Sequence, residues 1–158
     1  MTDIELAVEA EGWAALGDAE AFARQAVEAA LAAAGRAPEE LSLSLLLTGD
    51  EAVRDLNRTF RGKDKATNVL SFPAPAPPGG LSPRPLGDIA LAFETVAREA
   101  ESEGKTLADH ARHLIVHGTL HLLGYDHGTD AEAERMEALE VEALARLGIA
   151  DPYREAAA

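Results

Sequence analysis

The sequence predicts an α+β fold: a single domain over residues 1–158, with a mixed sheet of about four strands and about five helices. Three observations carry this. A chain of 158 residues suits one buried core and hardly two. Its composition, 47% hydrophobic and 27% charged, is that of an ordinary globular domain. Short alternating stretches come mostly first and long helical stretches follow, with one helix inserted between the second and third strands, an order that favours α+β.

Taken in order, residues 4–8 (Ile-Glu-Leu-Ala-Val) place apolar side chains at alternate positions, as a half-buried strand does. From Asp18 to Ala34 the Ala-rich spacing is helical, with Asp18 as N-cap and Gly35 as the stop. Residues 41–47 alternate again and read as a second strand. Val53, Leu56 and Phe60 then share one face of a helix over 50–60. Residues 67–72 read as a third strand, ended by Pro73. Six of the eight prolines and the Gly79-Gly80 pair fall in 73–85, a loop within the domain. A fourth strand over 88–93 leads into a polar-faced helix that stops at Gly104. Thr106, with Asp109 at the third helical position, opens a helix apolar enough to be central and buried, and Gly124 ends it. Asp130 is the expected cap of a last helix reaching Gly148.

Several classes of chemistry are excluded at once. Without cysteine there is no disulfide framework, thiolate metal site or cysteine nucleophile, so any metal must be held by His, Asp or Glu. No signal peptide and no run of 18 apolar residues is visible, and a cytoplasmic protein without a membrane partner is expected. The net charge of -14 opposes non-specific contact with phosphate. One segment departs from that average. Arg54, Arg58, Arg61, Lys63 and Lys65 stand against only Asp55 and Asp64 within twelve residues. That is either a solvated helix end with a basic turn, or a phosphate-contacting patch on an acidic body.

The histidines carry the chemistry. All five lie within eighteen residues: His110, His113, His117, His121 and His127. His117 and His121, four apart, project from one face of the buried helix, about 40° apart around its axis. Gly124 then breaks the helix so that His127 can return to the same point. Three imidazoles with a fourth position left open is the arrangement of a catalytic metal site, as opposed to a closed structural one. His113 and His110, one and two turns earlier on that face, could orient a ligand, contact phosphate or be structural. The metalloprotease pattern His-Glu-x-x-His has its general base beside the first ligand; here that position is Gly118. Asp126, beside the third histidine, could orient a ligand or act as a base.

The run His117-Gly118-Thr119-Leu120-His121-Leu122-Leu123-Gly124-Tyr125-Asp126-His127 resembles the signature of the YbeY family, bacterial metal-dependent endoribonucleases of ribosomal RNA maturation. Residues 61–73 (Arg-Gly-Lys-Asp-Lys-Ala-Thr-Asn-Val-Leu-Ser-Phe-Pro) and 86–89 (Leu-Gly-Asp-Ile) resemble two further blocks of that family. The resemblance implies that His117, His121 and His127 hold one zinc ion per chain, and that Arg61 is the functional arginine beside the metal cleft. It also implies a single-stranded RNA substrate, in particular ribosomal RNA precursors at the 16S 3′ end. Ribosome quality control, with the small ribosomal subunit and its proteins as partners, belongs to the same implication. Arg61 and Asp126 are the catalytic candidates, and Arg58, Lys63, Lys65 and His113 the candidate RNA contacts. The Pro-rich 73–85 loop departs from the common family form. Two other readings stand beside this one: a non-catalytic ribosome-assembly factor with a structural metal, and a general metallohydrolase, against which Gly118 counts.

Overall fold

Four strands hydrogen-bond into one sheet in the order β1-β2-β4-β3, where β1 is Asp3–Val8, β2 Leu41–Thr48, β3 Val69–Pro73 and β4 Arg84–Ala92. β1, β2 and β4 run parallel and β3 runs antiparallel to β4, so the sheet is mixed, as expected. The computed structural model of the chain describes residues 1–75 and 84–153. Among the described residues five α-helices accompany the sheet: α1 (Ala19–Ala33), α2 (Asp50–Arg61), α3 (Phe93–Glu103), α4 (Leu107–Leu122) and α5 (Asp130–Arg146).

The alternation in β2 sets the layers. Leu41, Leu43, Leu45 and Leu47 are buried on the face that packs with α1 and α4, whereas Leu46 turns to a smaller cluster with Val53 and Leu56 of α2. One face of the sheet is therefore thickly covered, and the other carries α2. α4 is central, as its composition predicts: Ala111, Ile115, Val116 and Leu120 have no exposed surface, and the helix touches α1, α3, α5, β3 and β4. Thr106 accepts a hydrogen bond from Asp109 N at 3.0 Å, the cap that starts α4 where the sequence places it.

Four boundaries differ from expectation. β4 begins at Arg84, not at 88, because Arg84 and Pro85 pair with Leu41 and Ser42, and Phe93 belongs to α3. β3 starts at Val69, two residues late. The cap of α5 is Thr129, whose hydroxyl accepts from Glu132 N at 3.1 Å; Asp130 is the first helical residue. A short 3-10 turn, Glu11–Leu16, carries the fully buried Trp13, which donates from Nε1 to Thr48 O at 2.9 Å. Six residues with a period near three leave no periodic signal. Most of the expected 73–85 loop, residues 76–83, lies outside the described residues.

Candidate metal centre and cleft

α4 delivers two of the three histidines and its termination delivers the third. His117 and His121 project side by side, with ring centroids 4.6 Å apart. Gly124 follows with φ 103°, a conformation that favours glycine, and the chain reverses. The His127 ring returns to lie 5.2 Å from that of His117, nearly parallel to it, and 5.4 Å from that of His121. One nitrogen from each ring lies within 4.8 Å of the others. Burial, together with the neighbouring His117 and His127, pushes the His121 imidazole below its usual pKa and so keeps its lone pair available. Three imidazole nitrogens gathered this closely fit a zinc-type divalent ion.

The residue beside the first histidine faces the sheet. A Cβ on Gly118 would lie 3.1 Å from both Ile89 Cγ2 and Ser71 Oγ, tighter than ordinary contact. α4 crosses β3 and β4 so closely that a side chain at this position, the glutamate of the metalloprotease pattern included, would require Ile89 and Ser71 to give way.

Behind His117 sits a group the sequence reading missed. Glu140 of α5 is fully buried. Its Oε1 is 2.9 Å from His113 Nε2 and 3.0 Å from His117 Nδ1, and its Oε2 accepts from the Tyr153 hydroxyl at 2.9 Å. Burial alone would raise the pKa of this carboxyl; the hydrogen bonds from His113 and His117 outweigh it and hold the pKa at about 2. The sequence does carry a signal. Glu140 falls on the helical face that otherwise holds the buried Met136, Ala143 and Leu144, where a charge is out of place.

In front of the histidines opens a cleft of about 430 Å³, lined among others by Arg61, Ser71, His117, His121, Tyr125 and Asp126. Arg61 is the last residue of α2, which Gly62 ends in the left-handed conformation at φ 69°. Its Nη2 donates to Ser71 O at 2.7 Å, and its guanidinium lies 5.3 Å from the Phe72 ring centroid. Asp126 accepts from His127 N at 2.8 Å, so one of its oxygens secures the turn that brings the third histidine back. Arg61 and Asp126 thus share a cleft with His117 and His121, although they stand 65 residues apart in the sequence.

The remaining candidates divide. Lys63 and Lys65 are exposed on the turn after α2, held by Asn57 Nδ2 donating to Lys65 O at 2.9 Å. Arg58 pairs with Asp55 at 3.1 Å, and Arg54 grips Asp64 with two bonds of 2.8 and 3.1 Å. His113 is not in the cleft. It faces Glu140 and lines a different hollow with His110 and Tyr153, while His110 itself is buried against Glu99 at 2.9 Å. Asn68 caps the start of β3, accepting from Val69 N.

An α+β domain with three convergent histidines, two of which line an open cleft together with an arginine, has the make-up of a metallohydrolase. The family model that matches, over residues 9–148, is described as endoribonuclease YbeY. A protein of that name from Azorhizobium caulinodans is 55% identical over 152 residues, covering 96% of each chain. Another from Agrobacterium fabrum is 51% identical, covering 96% of this chain and 94% of that one. A solution structure of a Thermotoga maritima protein shares the fold with a TM-score of 0.57 at 22% identity, covering 96% of this chain and 99% of its own. The chain belongs to the endoribonuclease YbeY family. Among the described residues no helix is long and apolar enough to cross a membrane.

Proposed function

We propose that the chain, as one catalytic domain over residues 1–158, is a zinc-dependent endoribonuclease that cuts single-stranded RNA. Its family supplies the coarser part, an RNA-cleaving hydrolase. The observation that carries the rest is the gathering of one nitrogen each from His117, His121 and His127 within 4.8 Å, with His117 and His121 lining a cleft that also presents Arg61. A divalent ion held there would supply Lewis-acid polarisation of a phosphoryl oxygen or of water.

The chain's own groups do the remainder. The Arg61 guanidinium is aimed by Ser71 O and backed by the Phe72 ring, which leaves further N–H donors for a phosphate whose charge grows during cleavage. Asp126 spends one oxygen on His127 N and keeps the other for orienting or deprotonating a nucleophile in the cleft. Lys63 and Lys65 hold the RNA backbone without reading bases. Arg58 contributes less, because Asp55 already pairs with it. In this reading His113 takes no RNA contact, since its Nε2 is committed to Glu140. The substrates are ribosomal RNA precursors at the 16S 3′ end, in the cytoplasm, during maturation and quality control. The small subunit is the working partner, and an acidic body of net charge -14 suits its basic proteins.

The test is cleavage of a labelled single-stranded precursor fragment by wild-type and His117→Ala protein, purified alike, with zinc content measured on both. His117→Ala is expected to lose the zinc and at least about 100-fold in rate. Equal cleavage by both would sink the proposed site. A zinc-loaded wild type that binds the fragment without cutting it would leave the assembly-factor role instead.

A further inference from the structure

A carboxylate with no exposed surface on the apolar face of a helix is costly unless its oxygens are fully engaged. Those of Glu140 are. Since a carboxylate only accepts, both imidazole nitrogens near Oε1 must carry protons: Nε2 of His113 and Nδ1 of His117. The second fixes the tautomer of His117 and leaves Nε2 as the nitrogen with a lone pair to give. Among the described residues, the rings of His121 and His127 have no such carboxylate partner. His117 is therefore the member of the triad whose orientation is set from behind, by a different helix.

The same carboxylate reaches the C-terminal side of the molecule. Tyr153 donates to Oε2, lies edge-on to the His113 ring at 5.6 Å, and is itself held in a turn by Asp151 accepting from its backbone N at 2.8 Å. The segment after α5 is thereby fastened to the histidine cluster through one hydroxyl.

We propose that Glu140 is a positioning residue of the metal centre, presetting His117 for zinc, and that Tyr153 supports it by fixing the carboxylate. The inference rests on the metal reading of the triad. A histidine ligand that donates its second nitrogen to a carboxylate is better aimed and more basic, and loss of such a partner typically weakens metal binding by about 10- to 100-fold.

Zinc affinity is measured by competition with a chromophoric chelator for wild type, Glu140→Gln and Tyr153→Phe, beside thermal melting of each metal-free protein. Glu140→Gln keeps the size and one acceptor oxygen. It is expected to weaken zinc binding by about 10- to 100-fold, with metal-free melting close to wild type. Tyr153→Phe is expected to give a smaller loss in the same direction. Because it leaves the carboxylate in place, it keeps the question decidable if Glu140→Gln does not fold. Variants that bind zinc as tightly as wild type, and only melt earlier without metal, would overturn the positioning role and make the cluster purely structural. A wild type that binds no zinc would overturn the metal reading, and this inference with it.

Discussion

Arg61 differs from its neighbours in what it holds. Arg54 and Arg58 each have a carboxylate at hydrogen-bond distance, on exposed side chains where such pairs contribute little to stability. Arg61 is held by a carbonyl and an aromatic face, so its charge is aimed without being neutralised. A planar fork can serve Ser71 O and a phosphate together; an ammonium cannot keep both geometries. Arg61→Ala is expected to lower single-turnover cleavage by about 100-fold, and Arg61→Lys to recover only a small part of it. Both should melt like wild type, since the residue is exposed. Full activity in Arg61→Lys would show that charge alone suffices. From the sequence, the basic cluster left open whether these residues form a solvated surface or a phosphate patch. Arg58 with Asp55 is an ordinary i, i+3 helical pair, but the Arg54–Asp64 and Arg61–Ser71 contacts each reach ten residues across a turn, and no spacing rule encodes those.

At the scale of elements, α4 is where local sequence was most informative. The four-residue spacing, the glycine break and the return of the third histidine are all local geometry, and the structure brings His117, His121 and His127 together. Glu140 was hidden for the opposite reason: its partners are 23 and 27 residues away on another helix. The α5 cap was legible but misplaced. Thr129-x-x-Glu132 is a capping pair, whereas Asp130 has Ala133 at the corresponding position. The close crossing of α4 over the sheet could not be read from the helix alone, because it depends on Ile89 and Ser71. Gly118→Glu, which would restore the metalloprotease pattern, is accordingly expected to destabilise the fold by about 1–3 kcal/mol or more. Urea unfolding measures this, and an unchanged midpoint would mean that the helix can lift without cost.

For the whole molecule, the question is how a chain of net charge -14 holds a polyanion. Within the basic segment, Arg61, Lys63 and Lys65 have no acidic partner among the described residues. Three contacts with a single strand give a log–log salt slope of about -2. Titrating RNA binding against ionic strength checks this; a slope twice as steep would require cations from elsewhere on the surface. Composition and the succession of elements along the chain were enough to anticipate the four-stranded mixed sheet and its five helices. The order β1-β2-β4-β3 was not, because pairing between sequence-distant strands is a property of the assembled core. The triad itself spans only eleven residues, whereas Glu140 and Tyr153 come later in the chain. Three imidazoles on so short a tether remain neighbours even when the rest of the chain is unfolded. A metal ion held by them would then have a hold on the denatured ensemble too, and whatever it bound there would subtract from the stabilisation it lends the native state. With the positioning role proposed for Glu140, retention of such an ion would report on folding: a loose chelate would become a tight one once α5 and Tyr153 had closed behind His117.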